Sequence, residues 1–432
     1  MRSGIRIGRF AAALRMLVTK GSHREDTAVT TTESTPAQLD GAGLDDPIGI
    51  AERLRDEFRV GAAERDRDRS FPYEQCAAFR ASGLLGLMVP REYGGYGGDF
   101  LTLMKVVIAI SAGDSNIGQM YQLHTGGIRL LQEFAGPAVQ ARWLPRFSRE
   151  LWITNAYSEV GTKSVNDFNT TVRRDGDGWR LNGRKFYCTG SLAGDITFGP
   201  CRVDGSDEVR VFYTPTDAAG VIIHDDWSGF GQRTTASGTT EFHDVWIPDE
   251  LCLGSPDTEG GGGGAVTSLN YQAVHTGVFV GIAKNALHDA VEFVQTRARK
   301  WYESPADRAS NDLYTQLRVG EMKTAVDAAE LLSLRAAQLC DQAVEHPGDE
   351  RIRGEASVVT GQAREAAAEA AMFAGSTLFK VCGAGSVLEK YGFDRHWRNA
   401  RTLSLHNPLD FKSMHAGDFL LNGNLPPVDS YN

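Results

Sequence analysis

Paired cysteines are absent from this sequence of 432 residues. None of its six cysteines forms a Cys-x-x-Cys pair, and none stands at zinc-ligand spacing from a histidine. This distribution excludes a disulfide scaffold and the common zinc motifs. We expect free, buried thiols in a reducing compartment, which favours a cytoplasmic protein. The six are Cys76, Cys188, Cys201, Cys252, Cys340 and Cys382.

Long apolar runs and an excess of positive charge are also absent. No apolar stretch reaches the roughly 18–20 residues that a membrane span needs. The formal net charge is −10, so neither nucleic acid nor an anionic membrane is expected as a partner. Hydrophobic residues make up 41% and charged residues 23% of the chain. These proportions are typical of a globular protein with a core of normal size.

A dinucleotide-binding fingerprint is missing as well. No Gly-x-Gly-x-x-Gly follows a strand and opens a helix, so no nicotinamide-binding domain is predicted. His224 and His243 have no carboxylates at helical ligand spacing. We therefore expect no metal site.

Composition and periodicity divide the chain into four segments. Residues 1–46 begin with basic residues and continue as a stretch rich in Thr, Ser and Ala, which predicts a disordered extension or linker. Residues 47–151 have the apolar spacing typical of helices. Residues 152–254 contain short alternating segments and predict a compact β domain. The helical period returns in residues 255–432, whose long alanine-rich helices predict a bundle.

The β segment contains one strong turn signal. Asn182-Gly183 lies between Trp179-Arg180-Leu181 and Arg184-Lys185. Asn-Gly favours the two-residue turn that joins antiparallel strands. The stretch therefore predicts a β-hairpin that is closed at Asn182 and Gly183.

Three short motifs occur in order along residues 48–425. They are Pro90-x-x-Tyr93-Gly94-Gly95, Ala156-Tyr157-Ser158-Glu159 and Leu181-Asn182-Gly183-x-Lys185. In this order and spacing the sequence resembles the acyl-CoA dehydrogenase superfamily. The resemblance implies an α+β, mostly α fold, with an N-terminal helical domain, a middle β-barrel domain and a C-terminal four-helix bundle.

The segment from Tyr391 to Pro408 departs from the dehydrogenase pattern. Many dehydrogenases of the superfamily carry Arg-Asp-Ala here, followed by a glutamate that removes the α-proton of an acyl thioester. Aligned on Arg398-Asn399-Ala400, the glutamate position is occupied by Asn407. A neutral amide cannot act as a general base. Two alternative hypotheses stay open: an acyl-CoA dehydrogenase with a non-standard base, and a flavin-free binding protein of this fold.

The same segment is similar to the two-component flavin-dependent monooxygenases, the branch that includes dibenzothiophene monooxygenases, sulfur-acquisition oxidoreductases and nitrososynthases. The shared features include Phe393-Asp394-Arg395, Thr402-x-Ser404-Leu405-His406 and Leu421-Asn422-Gly423. The resemblance implies an oxidoreductase that forms a C4a-hydroperoxide from reduced flavin and O2. One oxygen atom then passes to a small organic substrate. Because N-hydroxylases share the fold, the oxidised atom can be sulfur, nitrogen or an electron-rich ring carbon.

This resemblance assigns catalytic roles to three residues. His406 is expected to form a hydrogen bond and supply a proton near flavin C4a. Asn155 and Thr189 are expected to hold flavin N5 and the peroxide while water is excluded. The expected cofactor is reduced FMN, with FAD as an alternative. A separate NAD(P)H:flavin reductase is expected to supply it, because no nicotinamide domain is visible.

The resemblance also assigns residues to cofactor and substrate binding. Arg299 aligns with an arginine that contacts the cofactor phosphate, and Gly383-Ala384-Gly385 with a segment that contacts flavin across a subunit boundary. A homotetramer is therefore expected. Gln119 and Leu123 align with an active-site histidine and tyrosine, and with the retained His124 they form the expected substrate pocket. Because glutamine cannot shuttle a proton, Gln119 disfavours dibenzothiophene itself as the substrate.

Overall fold

The computed structural model describes residues 46–254, 264–429 and 431–432. The extension predicted for residues 1–46 therefore lies outside the described residues, except for Asp46. Helices come first, strands follow and helices return, so the chain is mostly α with one β domain, as predicted. Within the described residues no helix is both long enough and apolar enough to cross a bilayer.

Two helices of the N-terminal part are buried on almost every face. Asp99 and Asp114 cap them by accepting hydrogen bonds from the N–H groups of Thr102 and Asn116. The second of the two is buried although it carries many polar side chains, so these side chains need partners inside the protein. Among the described residues, the helices of this part are α1 (Pro47–Arg59), α2 (Ala62–Asp68), α3 (Tyr73–Ala81), α4 (Phe100–Gly113), α5 (Ser115–Phe134) and α6 (Pro137–Arg149). The two buried helices are α4 and α5.

Eight strands form one curved sheet. They are β1 (Ile153–Asn155), β2 (Thr171–Asp175), β3 (Gly178–Lys185), β4 (Ile196–Val203), β5 (Val209–Pro215), β6 (Val221–Ile223), β7 (Thr240–Pro248) and β8 (Cys252–Gly254). The order is β6-β7-β3-β2-β4-β5-β8, and β1 pairs with β4 in parallel. The rings of Phe212 on β5 and Phe242 on β7 are 5.1 Å apart. Since these strands are not neighbours in the order, the sheet curls back on itself as a barrel does.

The hairpin predicted at Asn182 and Gly183 is wrong. Strand β3 continues through both residues and pairs with β2 on one side and β7 on the other. The register shifts here against β7, and Asn182 Oδ1 accepts a hydrogen bond from Asp244 N–H at 2.9 Å. A Cβ at Gly183 would lie 2.4 Å from Thr170 Oγ1. Glycine is therefore needed for a bulge and a close approach, and the hairpin turn lies at Gly176-Asp177.

Three long helices and two short ones form the C-terminal part. They are α7 (Gly264–Thr296), α8 (Leu313–Glu345), α9 (Glu350–Cys382), α10 (Asp394–Ser404) and α11 (Asp410–Asn422). The first three contain 33 residues each. Buried alanines, among them Ala286 on α7 and Ala371 on α9, line their contacts. Small side chains let the helix axes approach closely, which explains the alanine-rich sequence.

Ion pairs with buried aspartates fix the position of α10. Asp289 on α7 accepts hydrogen bonds from Arg395 at 2.8 Å and from His396 at 2.7 Å. Asp66 on α2 pairs with Arg398 at 2.5 Å. Removing one partner of such a pair would leave an uncompensated buried charge, which is strongly destabilising. The two pairs therefore fix α10, whose end leads into the predicted catalytic segment, against both helical parts.

The six cysteines are free and buried, which confirms the prediction. Burial raises the pKa of the Cys188 and Cys340 thiols to about 12. Both thiols stay protonated at neutral pH and pack as small apolar groups.

His124 joins the N-terminal helices to the sheet. Its fully buried ring accepts a hydrogen bond from Ile153 N–H at Nδ1, over 3.0 Å, and Nε2 donates to the Leu85 carbonyl over 2.9 Å. Desolvation lowers the pKa of His124 to about 4. The imidazole is therefore neutral at pH 7, and both of its nitrogens hold backbone groups.

The substitution His124→Gln should weaken the pH dependence of stability. Glutamine can accept and donate in the same place, but it does not titrate. The folded-state pKa of His124 lies below the unfolded value of 6.5, so stability is lost as pH falls from that value towards 4. We expect the stability advantage of the wild type, measured by urea unfolding, to shrink by roughly 2 kcal/mol from pH 7 to pH 5. The same advantage at both pH values would contradict a buried neutral histidine.

Candidate active site

A cluster of histidine and amide side chains lies where α5, α7 and the end of α10 meet. His275 on α7 and His406, two residues beyond α10, pack edge to face with ring centroids 4.4 Å apart. We call these two residues the histidine pair. Gln119 Nε2 lies 3.4 Å from His275 Nε2, and Gln122 Nε2 lies 3.5 Å from His275 Nδ1. His406 Nδ1 lies 3.2 Å from Oδ1 of the buried Asn407.

The protein holds both histidines of the pair in the neutral form. Desolvation, then His406 and Arg364, move the pKa of His275 well below 6.5. His406 is accessible to solvent, yet desolvation by the surrounding protein, with Arg364, lowers its pKa to about 4. His406 is thus the member of the pair that solvent reaches, whereas His275 is fully buried. Because Asn407 Oδ1 can only accept, His406 carries its proton on Nδ1 and leaves Nε2 unprotonated.

A second group of polar atoms lies at the end of β1. Asn155 is the last residue of that strand, and its buried Oδ1 has no hydrogen-bond partner within the described part of the chain. Thr189 follows β3, and its hydroxyl lies 2.8 Å from that of Ser237, which is 2.7 Å from that of Thr235. We call these three residues the hydroxyl chain. Thr235 Oγ1 donates to the Gln232 carbonyl at 2.9 Å, so Ser237 donates to Thr235 and Thr189 donates to Ser237. The Thr189 hydroxyl oxygen therefore remains available as an acceptor.

Helix α5 brings the two groups together. A Cβ at Gly190, the residue after the start of the hydroxyl chain, would lie 3.0 Å from Thr154 and 3.5 Å from Met120. Met120 adjoins Gln119, which contacts the histidine pair. The predicted catalytic residues from the β domain and from the carboxyl-terminal segment therefore flank the same turn of α5.

The structure sets one of the three residues predicted for the substrate pocket apart from the other two. Gln119 contacts the histidine pair, and its Oε1 is buried without a partner among the described atoms. Leu123 is buried one turn further along α5. His124 has no free nitrogen for a substrate, because both ring nitrogens bind backbone groups. We therefore correct the assignment of His124 from the pocket to the fold.

Two predicted cofactor contacts lie on the outer surface. One is the predicted phosphate contact, and the other is the segment predicted to contact flavin across a subunit boundary. Arg299 comes after the end of α7 and is exposed. The segment Gly383-Ala384-Gly385 ends α9 and is exposed as well, and Gly383 adopts a φ of 70° that favours glycine. Exposed apolar side chains follow both places in the chain, namely Trp301, Tyr302, Val387 and Leu388.

The sequence analysis missed His275, the buried partner in the histidine pair. Helix α7 is apolar over most of its length, and Gln272, His275 and Thr276 interrupt that pattern with buried polar groups. Buried polar groups need partners, so polar residues within an apolar helix were the available signal. Arg364, fully buried in the alanine-rich α9, is a second case.

The two polar groups fit a flavin. Leaving a buried acceptor such as Asn155 Oδ1 without a donor costs roughly 1–3 kcal/mol. The isoalloxazine ring carries N–H donors together with carbonyl and nitrogen acceptors. Asn155 Oδ1 and the Thr189 hydroxyl can both accept from the N–H donors. A bound flavin would therefore provide the hydrogen-bond donor that Asn155 Oδ1 lacks among the described residues.

Models of three acyl-CoA dehydrogenase domains match this chain in order. The model described as "Acyl-CoA dehydrogenase, N-terminal domain" matches residues 50–150. The middle domain matches residues 154–245, and the C-terminal domain matches residues 273–411. The matched ranges follow the helical, β and helical parts of the structure.

Comparison with individual proteins shows to which branch of this family the chain is similar in sequence and structure. The chain is 34% identical over 399 residues to a dibenzothiophene monooxygenase of Rhodococcus qingshengii, which covers 89% of this chain and 95% of the relative. The crystal structure of FMN-bound TdsC from Paenibacillus sp. A11-2 matches with a TM-score of 0.85 and 28% identity, over 90% of this chain and 100% of that one. Methanesulfinate monooxygenase MsuC from Pseudomonas fluorescens matches over the same shares with a TM-score of 0.85 and 29% identity. This chain therefore belongs to the acyl-CoA dehydrogenase family, in the branch of the dibenzothiophene monooxygenases.

Proposed function

We propose that this protein is a two-component flavin-dependent monooxygenase that uses reduced FMN and O2 to oxygenate a small organic substrate. The observation that carries the proposal is the histidine pair, together with Asn407 at the position of the dehydrogenase base. The pair can handle a proton near a flavin, but the position of the base holds no carboxylate to abstract one from carbon. The monooxygenase relatives, and the FMN in TdsC, support the same function and cofactor.

When bound, reduced FMN would supply two electrons and, with O2, the oxygen that is transferred. His406, whose lowered pKa leaves Nε2 unprotonated, would accept a hydrogen bond there and would not supply the proton expected from the sequence. Asn407 maintains that tautomer by accepting from Nδ1–H. His275 packs against the ring and limits its rotation. Asn155 and Thr189 hold the N5 side of the flavin.

Exclusion of water and protons is the second task of the site. A hydroperoxide that gains a proton and leaves as H2O2 is lost to catalysis. Desolvation keeps both histidines neutral, so neither delivers a stored proton at neutral pH. The desolvated, polar surroundings thereby favour transfer of oxygen to the substrate over release of peroxide.

Reduced FMN must come from a separate NAD(P)H:flavin reductase. The sequence contains no dinucleotide-binding fingerprint. The substrate is a small molecule with an oxidisable sulfur, nitrogen or electron-rich carbon atom. The names of the relatives point to sulfur compounds.

We further propose a homotetramer in which neighbouring subunits complete the flavin site. Arg299 and the segment Gly383-Ala384-Gly385 are exposed, so they can reach a cofactor outside their own subunit. Trp301 is 67% and Val387 is 69% exposed. Exposed apolar groups next to ligand-binding residues favour a protein interface there.

The dehydrogenase alternative shares the family's domains but lacks the catalytic base. The position of the base holds Asn407, which is buried and bonded to His406. An amide in that position stabilises one tautomer of His406, but it cannot remove a proton from carbon.

The substitution His406→Ala should uncouple flavin oxidation from oxygenation. We expect FMN affinity to stay within about twofold, the ratio of product to H2O2 to fall at least roughly tenfold, and peroxide release to rise. Product and peroxide can be quantified together, with reduced FMN supplied by any flavin reductase. The matched control is His346→Ala, which removes an exposed histidine at the end of α8. An unchanged ratio in His406→Ala would remove this residue from the mechanism.

The substitution Arg299→Ala should weaken FMN binding through loss of a phosphate contact. A charge-assisted hydrogen bond contributes about 1.5–3 kcal/mol, so we expect the Kd for FMN to rise roughly 10- to 100-fold. Lys300→Ala is the control, because Lys300 Nζ donates to the Ser304 carbonyl of its own loop at 2.9 Å. Equal Kd values for wild type and Arg299→Ala, measured by flavin fluorescence, would show that the phosphate lies elsewhere.

A further inference from the structure

Arg364 is a buried cation that lacks an anionic partner within the described chain. It lies on α9 with no exposed surface. Its Nη1 donates to Gln272 Oε1 on α7. Its Nε and Nη2 are buried and have no hydrogen-bond partner among the described atoms. Desolvation lowers the pKa of Arg364 to about 9, so the guanidinium is still charged at neutral pH.

The other buried cations of the described residues have a carboxylate that is either bonded to them or, like Asp429 for Arg353 and Lys412, near enough to favour their charged form. Lys185 Nζ lies 2.7 Å from Glu159 Oε1. Arg395 lies 2.8 Å from Asp289 Oδ2. An unpaired buried charge costs several kcal/mol, which is why such charges are normally paired. The exception at Arg364 therefore indicates that a ligand supplies the missing negative charge.

The geometry of the unpaired atoms specifies the ligand. Nε–H and the adjacent Nη2–H of a guanidinium form the edge that binds two oxygens of one head group side by side. In Arg364 this whole edge is free, whereas the remaining nitrogen is bonded to Gln272. The ligand therefore presents a planar or tetrahedral group with at least two oxygens that share a negative charge.

The free edge belongs to the region of the histidine pair. Gln272, which Arg364 contacts, lies one turn before His275 on the same helix. The positive charge of Arg364 also contributes to the lowered pKa values of His275 and His406. An anion on Arg364 would thus place its head group next to the residues proposed to handle the oxygen transfer.

We propose that Arg364 binds the head group of an organic sulfinate and that this anion is the substrate class, an inference that rests on the proposed monooxygenase function. A sulfinate has two oxygens for the guanidinium edge and a lone pair on sulfur for electrophilic oxygen. A carboxylate would bind in the same way, but its carbon has no lone pair to oxidise. Because the head group itself lies beside the histidine pair, the oxidised atom belongs to that head group.

The reaction balances with the reactants already named. One sulfinate, one FMNH2 and one O2 give one sulfonate, one oxidised FMN and one water. One atom of O2 forms a new bond to sulfur, which is oxidised by two electrons. FMNH2 donates two electrons and two protons, and the second oxygen atom leaves as water. The product keeps the charge of the substrate, so Arg364 stays paired throughout.

Binding of an unreactive anion tests the site without turnover. Ethanesulfonate and its neutral analogue ethyl methyl sulfone can be titrated calorimetrically into the full-length protein with oxidised FMN bound. We expect ethanesulfonate to bind at least roughly tenfold more tightly than the sulfone. Arg364→Gln should abolish this preference, and Arg364→Lys, which keeps the charge but not the edge, should retain part of it. Equal binding of the two probes by the wild type would overturn the proposal, whether or not the variants fold.

A matched control distinguishes the specific loss of the Arg364 site from the general effect of removing a buried arginine. Arg353→Gln removes a guanidinium three turns earlier on α9, one that Asp429 stabilises. We expect the preference for ethanesulfonate to persist in this variant. Its loss in both variants to the same extent would overturn the assignment to Arg364. A tenfold loss of FMN affinity in Arg364→Gln alone would assign Arg364 to the flavin phosphate, and would also overturn the proposal that it binds a sulfinate.

The anion site and the monooxygenase function can fail independently. The ratio of ethanesulfinate oxidation to oxidation of the neutral diethyl sulfide should fall at least roughly tenfold in Arg364→Gln. If neither compound is oxidised but the binding preference depends on Arg364, the anion site stands and the oxygenase function fails. If the sulfide is oxidised equally by wild type and variant and no anion preference exists, the function stands and the anion site fails.

Discussion

Desolvation of polar groups within the helical bundle is the constraint on which this site depends. His275 and His406 are neutral because the surrounding protein replaces water. The same burial leaves Arg364 charged but unpaired among the described atoms. A site of this kind can hold a hydrogen bond at a defined nitrogen and attract an anion, while it keeps free protons away. Each property is useful when a reactive oxygen species must survive until the substrate arrives.

The fold places these groups by fixing helices from distant parts of the chain. Asp289 and Asp66 hold α10 through Arg395 and Arg398, and α10 ends two residues before His406. Helix α5 lies between the β domain and α7, so one of its turns meets both the hydroxyl chain and the histidine pair. The proposed site is therefore a junction of all three parts, in agreement with a family whose three domain models match the chain in order.

Local patterns predicted the succession of helices and strands, but contacts between distant segments could not be read in the same way. Asn182 and Gly183 form a bulge because β7 lies beside them, whereas the dipeptide alone favours a turn. Motifs led to the predictions at His406, Asn155 and Thr189, but not to His275, whose position depends on how α7 packs against the end of α10. His124 was assigned wrongly because adjacency to Leu123 does not determine the face on which a helical side chain lies.

The central claim is that reduced flavin in this site reacts with O2 to give an oxygenating species. The most direct measurement is stopped-flow absorbance after mixing the protein and anaerobically reduced FMN with oxygenated buffer. The account predicts a transient flavin C4a-hydroperoxide that forms before oxidised flavin appears and decays faster when an oxidisable substrate is present. Direct return to oxidised FMN without a transient, together with bleaching of the oxidised flavoprotein by an acyl-CoA, would contradict the account and favour dehydrogenase chemistry.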